Sequence, residues 1–195
     1  MHHEEVTVVN GILTATVAVW IAAEVWLQTR QYRQGSRART TEWRSLGVFI
    51  VLVAVGELLA GLARGRLPQF AIPHPAVLLG AGIVLAWTGI AFRLWAIRSL
   101  GRYFRGVVQI QEGHRVVRSG PYRYLRHPSY TGALVALAGL SLTYDNLVSV
   151  LVFLAACLVA VLYRIRVEER VLTDALGAEY TAYAARTHRL IPGLW

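Results

Sequence analysis

Five apolar blocks dominate this chain of 195 residues and restrict what it can fold into. They cover residues 6–27, 46–63, 76–97, 130–142 and 147–163. A helix needs about 20 apolar residues to cross the hydrocarbon core of a bilayer, and the first three blocks are close to that length. The last two are shorter and are joined by a polar turn, which predicts a helical hairpin. The blocks therefore predict an all-α, polytopic membrane protein with about five transmembrane helices and no strands.

The composition favours a membrane protein over a soluble one. Hydrophobic residues make up 55% of the chain and charged residues only 16%, whereas about a quarter of the residues in a typical soluble domain are charged. The net charge is +9, and all 20 basic residues are arginines. Because the arginines cluster beside the apolar blocks, they indicate contact with an anionic membrane face rather than with nucleic acid. No Cys/His spacing predicts a metal site, and the oligomeric state stays open.

The placement of the arginines predicts the orientation in the membrane, since cytoplasmic loops carry an excess of basic residues. The segments after the first and third blocks and the C-terminal tail hold most of the arginines, and the opposite side has only Arg64 and Arg66. That opposite side also carries Glu4, Glu5 and Asp145. We therefore predict a protein of the cell inner membrane with its N-terminus outside and its C-terminus in the cytoplasm, so that any active site built from the arginine-rich segments would also be cytoplasmic.

A polar, basic segment, residues 113–132, interrupts the apolar blocks. It contains two Pro, three Gly and three Tyr, which suits neither a regular helix nor a half-buried strand. Pro121 and Pro128 bias the residues before them away from the α region, and Pro128 can begin the next helix. The segment therefore predicts a compact loop that brings a set of polar side chains to one place. These are His114, Tyr122, Arg126, His127 and Tyr130.

The tail predicts one further helix, in residues 166–186. Its apolar residues recur at helical spacing and its charged residues fall between them, so that the helix is amphipathic and cytoplasmic. It is expected to lie against the membrane or over the loop. Gly177 is expected to break or kink it.

The loop and the tail carry a family resemblance. The loop reads Gly-His-x-x-Val-x-x-Gly-x-Tyr-x-x-x-Arg-His-Pro-x-Tyr from Gly113 to Tyr130. The tail reads Arg-x-x-x-Glu-Glu from Arg164, and then Gly-x-Glu-Tyr-x-x-Tyr from Gly177. In this order the fragments resemble the isoprenylcysteine carboxyl methyltransferase family, over roughly residues 107–192.

The resemblance implies an integral membrane, S-adenosylmethionine-dependent methyltransferase. Its acceptor would be the carboxylate of an amphiphilic small molecule, isoprenoid-type compound or lipidated substrate that enters from the bilayer lipids. The chain would be a single membrane domain, with a three-helix part in residues 1–106 and a cofactor-binding and catalytic core in residues 107–195. Arg164 and Glu168 would be the catalytic residues. The cofactor-binding residues would be Gln109, His114, Val117, Gly120, Tyr122, Arg126, His127, Pro128, Tyr130 and Glu169.

The residues by themselves leave alternatives open. On a helix, Arg164 and Glu168 lie one turn apart, as in an ordinary surface ion pair. Arg126 and His127 are also consistent with a simple cap for the fourth helix. A carboxylate acceptor is already ionised at pH 7, so a missing general base does not argue against carboxyl methylation. The alternatives are N-methylation of a phospholipid or other lipid amine, a NADPH-dependent membrane reductase, and a non-enzymatic transporter or scaffold.

Three charged residues lie inside apolar blocks: Glu24, Glu57 and Arg93. A charge at the centre of a bilayer costs about 2.5–3.5 kcal/mol on insertion scales. Glu24 and Arg93 lie near the cytoplasmic ends of their blocks, where local pairing or snorkelling is expected. Glu57 is deeper, and the sequence leaves open whether it is protonated, paired or facing a substrate cavity.

Overall fold

The computed structural model describes residues 3–34, 38–73 and 75–193. Arg37, one of the arginines behind the predicted orientation, lies outside them. Most of the described residues are helical, which confirms the predicted fold class. The elements are α1 (His3–Gln34), β1 (Ala38–Glu42), α2 (Arg44–Arg66), α3 (Pro75–Leu100), β2 (Val108–Gln111), α4 (Pro128–Ser141), α5 (Leu147–Leu176) and α6 (Ala178–Ala184).

Four helices of the described chain are long and apolar enough to cross a membrane. The spans are Gly11–Arg33, Arg44–Arg66, Ala76–Tyr103 and Leu147–Leu176. The fourth apolar block forms α4, which has 14 residues and is therefore about 21 Å long, shorter than the hydrocarbon core. The predicted five membrane helices are thus four long helices and one short helix, with α4 and α5 as the predicted hairpin.

A seam of glycines brings α3 and α4 together. A Cβ atom added at Gly82 would lie 2.6 Å from the carbonyl oxygen of Gly139, and one added at Gly89 would lie 2.6 Å from that of Gly132. Apolar side chains gain little by leaving lipid for protein, so helices in membranes associate through such close backbone packing. The seam fixes α4, and with it the residues that precede α4, against α3.

The helices α2 and α5 form the second close pair. Gly56 of α2 faces Ala156 and Phe153 of α5, and the Ser149 hydroxyl donates a hydrogen bond of 2.7 Å to the carbonyl of Ala60. The single cysteine, Cys157, is fully buried in the same contact. This pair holds α5, which carries the predicted catalytic residues.

A two-stranded antiparallel ribbon contradicts the expectation that the chain has no strands. Strand β1, from the α1–α2 connection, pairs with β2, from the segment after α3, with Glu42 opposite Val108. Each strand has only four or five residues, too few to show an alternating pattern in the sequence. Each backbone finds its hydrogen-bonding partner in a distant segment, so the ribbon is a tertiary feature.

The helix α5 is longer than predicted. It continues without a break from the fifth apolar block through the start of the predicted amphipathic helix, and it ends at Leu176. Gly177 has φ 54° and separates α5 from α6, which confirms the predicted break. Arg164, Glu168 and Glu169 therefore lie on a single rigid helix.

Two of the three charged residues in apolar blocks pair with each other. Arg93 of α3 forms an ion pair with Glu24 of α1, in which Arg93 Nη2 lies 2.8 Å from Glu24 Oε2. Arg93 also donates a 3.0 Å hydrogen bond to the carbonyl of Ser129. This confirms the predicted local pairing and links α1, α3 and the start of α4. Glu57 has a different environment, in which it accepts a hydrogen bond from the Tyr144 hydroxyl.

Candidate functional site

A cavity of about 830 Å³ extends from the polar loop into the interior of the helices. This volume is within the range of small-molecule sites. Its polar part is lined by the loop, β2, α5 and α6. Its apolar part is lined by side chains of α1, α2, α4 and α5, among them Leu13, Val17, Val53, Leu137 and Phe153. The cavity therefore suits an amphiphile better than a fully polar ligand.

Most of the site residues predicted from the sequence line this cavity. They are Gln109, His114, Val117, Tyr122, Arg126, His127, Tyr130, Arg164 and Glu168. The other three lie behind its wall. Pro128 is buried as the first residue of α4, Gly120 packs against Ser99, and Glu169 supports Arg126 and His127.

The loop takes its shape from the residues that indicated it. Gly113 and Gly120 have φ values of 66° and 57°, a region that favours glycine. Pro121 lies in a short 3-10 turn, Gly120–Arg123, and Pro128 begins α4 as predicted. A Cβ atom at Gly120 would lie 3.1 Å from the Ser99 Cβ, so both the backbone conformation and the packing require glycine there.

Arg164, Tyr130 and Glu168 form a hydrogen-bonded chain at the junction of the polar and apolar parts. Arg164 Nε donates to the Tyr130 hydroxyl oxygen at 2.8 Å, and that hydroxyl donates to Glu168 Oε2 at 2.9 Å. Arg164 is only 5% exposed, and its Nη2 donates to the carbonyl of Gly106. Its Nη1 is buried without a partner in the described part of the chain. Arg164 and Glu168 are thus joined through Tyr130 and do not form an ordinary surface ion pair.

Glu169 is the centre of a separate ionic cluster. It accepts hydrogen bonds from Arg126 Nε at 2.9 Å and from Arg189 Nε at 3.0 Å, and its Oε1 lies 3.3 Å from His127 Nε2. Arg126 also donates to the carbonyl of Ala184, the last residue of α6, and to that of Thr187 beyond α6. The cluster therefore ties α5, the loop and the C-terminal segment together.

His127 precedes α4 but does not cap it through its side chain. The ring is 2% exposed and faces Glu169 instead. The backbone of His127 donates a 3.1 Å hydrogen bond to the carbonyl of Arg189, and that of Arg126 donates a 2.7 Å bond to the carbonyl of His188. The simple helix-cap interpretation is therefore wrong for the side chain, which braces the wall of the cavity.

Several polar atoms at the cavity have no protein partner within the described chain. The His114 ring stacks on Tyr103, with ring centroids 4.7 Å apart, and its Nδ1 is buried and unpartnered. Burial lowers the pKa of His114 below its ordinary value, so the imidazole is neutral near pH 7. The Tyr180 hydroxyl and Arg105 Nε are also buried and unpartnered, and both residues line the cavity.

Sequence reasoning did not predict Tyr180, Tyr183 or Arg105 as site residues. The two tyrosines belong to the Gly-x-Glu-Tyr-x-x-Tyr fragment, which was a signal for them. The Tyr183 hydroxyl lies 2.8 Å from the carbonyl of Tyr122 and so holds the loop against α6. No local pattern indicated Arg105, since it follows α3 in a segment of mixed composition.

The sequence matches known proteins in the region that forms the site. The model of the isoprenylcysteine carboxyl methyltransferase (ICMT) family matches residues 82–174. The probable protein-S-isoprenylcysteine O-methyltransferase of Oryza sativa subsp. indica is 32% identical over 113 residues, which are 57% of this chain and 59% of that protein. The cobalt-zinc-cadmium resistance protein CzcN of Cupriavidus metallidurans is 30% identical over 159 residues, which are 82% of this chain and 66% of that protein.

The fold is similar to a solved structure of the eukaryotic intramembrane Ras methyltransferase ICMT. The TM-score is 0.58 at 25% sequence identity, and the match covers 74% of this chain and 52% of that chain. The chain thus spans between about half and two thirds of the length of these relatives. The matched region contains α4, most of α5 and the loop between α3 and α4. By sequence and by fold, the region that forms the site is similar to the isoprenylcysteine carboxyl methyltransferase family.

Proposed function

We propose that this protein transfers a methyl group from S-adenosylmethionine to the carboxylate of an amphiphilic acceptor where the membrane meets the cytoplasm. The observation that carries the proposal is Arg164, a buried guanidinium whose Nη1 has no partner in the described chain. A buried cation that lacks part of its hydrogen bonding is unfavourable, and a planar guanidinium matches a carboxylate in shape and charge. A carboxylate beside Arg164 would complete its hydrogen bonding.

The family relationship supports methyl transfer as the reaction. The Oryza sativa relative is named as an O-methyltransferase of protein S-isoprenylcysteine. The matched region contains both Arg164 and Glu168. We therefore assign these two residues the catalytic roles that the motif implies.

The polar part of the cavity fits S-adenosylmethionine by the chemistry of its donors and acceptors. Glu168 is a carboxylate that suits a cationic ligand, and His114 Nδ1 and the Tyr180 hydroxyl are buried polar atoms without protein partners. We infer that Gln109, His114, Val117 and Tyr122 contact the cofactor. Its supporting wall would be Gly120, Arg126, His127, Pro128, Tyr130 and Glu169. When bound, S-adenosylmethionine supplies a methyl group on a positively charged sulfur.

The residues of this chain would position the acceptor rather than activate it. A carboxylate is already ionised at pH 7 because its reference pKa is about 4, so no residue has to remove a proton. Arg164 is fixed by Tyr130 on one side and by the carbonyl of Gly106 on the other, which defines where the carboxylate is held. Alignment of the reacting groups in a site with little water is expected to supply much of the rate.

The acceptor is expected to reach the site from the bilayer. The apolar part of the cavity lies among helices that are long and apolar enough to cross a membrane. An isoprenoid-type or other long apolar chain fits such a lining, on a small molecule or on a lipidated protein. With the orientation predicted from the arginines, the polar part faces the cytoplasm of a cell whose inner membrane holds the protein.

Product analysis tests the proposal directly. Purified protein in lipid nanodiscs is incubated with methyl-labelled S-adenosylmethionine and a prenylated cysteine analogue or a long-chain fatty acid. We expect a methyl ester that mild base cleaves to methanol, formed at a rate that is nearly flat between pH 6 and 8. A base-stable product formed at a rate that rises with pH would refute carboxyl methylation and favour a lipid amine.

Variants of Arg164 separate the acceptor site from the cofactor site. We expect Arg164→Ala to abolish turnover while S-adenosylmethionine still binds, and Arg164→Lys to rescue poorly because an ammonium lacks the two-point fork. Arg166→Ala is the matched control, since Arg166 is an exposed arginine two positions further along α5. Full activity in Arg164→Ala would leave Arg164 without a role in the reaction.

A further inference from the structure

One end of the cavity lies within the membrane-spanning part of the protein, and a carboxylate, Glu57, is found at that end. Glu57 of α2 lines the same cavity as Arg164. It precedes Arg66, the last residue of α2, by nine positions, which places it about 13 Å inside that end of the helix. Ionisable residues inside membrane spans are costly, and they usually face a cavity or a partner. Glu57 therefore requires an explanation that the reaction at Arg164 does not provide.

Three hydroxyl side chains line the cavity together with Glu57, and we call these four residues the distal collar. The members are Glu57, Ser141, Thr143 and Tyr144. The Tyr144 hydroxyl donates to Glu57 Oε2. Ser141 donates to the carbonyl of Ala138 at 2.8 Å, and Thr143 donates to the carbonyl of Leu140 at 2.7 Å. Every hydroxyl hydrogen of the collar is thus already used within the protein.

What the collar offers to a ligand is hydrogen-bond acceptors. Glu57 Oε1 accepts no hydrogen bond from any described residue, and the hydroxyl oxygens keep lone pairs after donating their hydrogens. A ligand group that meets the collar must therefore donate a hydrogen bond. Glu57 is exposed at the surface of the isolated chain. Within the membrane, a methyl terminus would leave its free carboxylate oxygen facing apolar groups without a partner, which is unfavourable.

Glu24 is the other carboxylate within the apolar blocks, and it shows how a carboxylate with a purely structural role is held. Glu24 is neutralised by Arg93, with both Nε and Nη2 of the arginine as donors. Glu57 receives a single hydrogen bond from a neutral tyrosine. Tyr144 packs against Phe153 in an edge-to-face contact, with ring centroids 5.7 Å apart. The carboxylate is therefore anchored on one oxygen and available on the other.

The separation of the collar from Arg164 defines the ligand. Phe153, which contacts Tyr144, and Arg164 are eleven residues apart on α5, or about 16 Å along the helix axis. The lining between them includes Ala133, Leu137 and Val53 and is apolar. We propose that the acceptor carries a hydrogen-bond donor, a hydroxyl or an amine, at the far end of its apolar chain, and that Glu57 selects it. The proposal rests on the proposed function for the carboxylate head of the acceptor.

The test compares ligands that differ only at the terminus of the chain. Long-chain carboxylic acids of equal length ending in hydroxyl, amine, methoxy or methyl compete with a fluorescent fatty acid for the purified protein in nanodiscs. We expect the wild-type protein to bind the hydroxyl acid about tenfold more tightly than the methoxy acid. The amine-terminated acid identifies the kind of donor that is preferred. Tighter binding of this acid than of the hydroxyl-terminated acid indicates a cationic terminus, and the reverse order indicates a neutral terminus.

Glu57→Gln provides the second half of the test. The amide keeps the size of the side chain but can turn an N–H towards the cavity, so the methoxy acid gains a donor. We expect the preference for the hydroxyl acid to fall to within about twofold. Asp174→Asn is the matched control, because Asp174 is exposed, lies off the cavity and loses the same charge. It should keep the wild-type preference.

Equal binding of the hydroxyl, methoxy and methyl acids to the wild-type protein would overturn the inference, and that comparison requires no variant to fold. An unchanged preference in Glu57→Gln would overturn it as well. The binding assay is separate from the reaction. A terminal preference without any methyl ester product would uphold this inference and refute the proposed function. Methyl ester formation without a terminal preference would uphold the proposed function and refute this inference.

Discussion

Replacement of Glu169 by glutamine is expected to destabilise the protein, because this carboxylate joins three parts of the chain. Its partners are Arg126 in the loop, His127 at the start of α4 and Arg189 beyond α6. Glutamine keeps the size of the side chain but removes the charge. One of its two polar ends would be an NH2 group that faces a guanidinium.

The magnitude follows from the burial of the cluster. The side chains of Glu169 and Arg126 are 16% and 11% exposed, and removing one partner of a buried ion pair costs about 3–5 kcal/mol. Arg189 is 34% exposed, so water screens its contribution to the cluster. We therefore take the lower limit, about 3 kcal/mol, as the cost of replacing Glu169. In a chain of this size 1 kcal/mol shifts Tm by about 2–4 °C. We therefore expect the apparent Tm to fall by about 6–12 °C.

The protein carries its own reporter of unfolding. Cys157 is the single cysteine and is fully buried between α2 and α5. A dye that fluoresces on reaction with a thiol will therefore report the opening of this helix pair as the temperature rises. The apparent Tm is compared at one heating rate, since thermal unfolding of membrane proteins is rarely reversible.

Glu168→Gln is the matched control, since Glu168 is the neighbouring carboxylate on the same helix. Its hydrogen bond comes from the neutral Tyr130 hydroxyl, and glutamine can still accept that bond. We expect its Tm to stay within about 3 °C of the wild type, while methyl transfer falls. A Tm for Glu169→Gln within 2 °C of the wild type, or equal losses in both variants, would refute this account of the cluster.

Three further predictions follow from the packing, the topology and the burial of a histidine. Gly89→Leu forces a side chain against the Gly132 carbonyl oxygen and should cost about 1–3 kcal/mol, measured as a lower Tm; Gly80→Leu, at a glycine with open space around it, should have little effect. Ser119→Cys should react with a membrane-impermeant thiol reagent only from the cytoplasmic side, and labelling from the outside would contradict the orientation. Burial lowers the pKa of His114 in the folded protein, so the unfolded chain binds the additional proton below about pH 6.5 and stability should fall from pH 7 to pH 5. A smaller decrease in Tm over that range in His114→Gln would confirm the sign.

Much of the helical framework was predictable because its causes are local. The number of apolar residues in each block, compared with the thickness of a bilayer, predicted α1, α2, α3 and the shorter α4. The fifth block was predicted to be short, whereas α5 has 30 residues. Proline and glycine restrict or free the backbone at their own positions, so the start of α4 at Pro128 and the break at Gly177 were also predicted. The family motifs indicated residues that the structure places on one cavity. Their individual roles stay predictions.

What only the tertiary structure decided is which distant groups meet. The sequence places Arg164 and Glu168 one helical turn apart, yet the Tyr130 hydroxyl, 34 residues from Arg164 in the chain, joins them. The pairing of Glu24 with Arg93, across 69 residues, likewise depends on which faces of α1 and α3 pack together. The β1–β2 ribbon and the position of Glu57 on the cavity have the same cause. Local patterns specify which helix a side chain belongs to, whereas the packing of the helices specifies its partner.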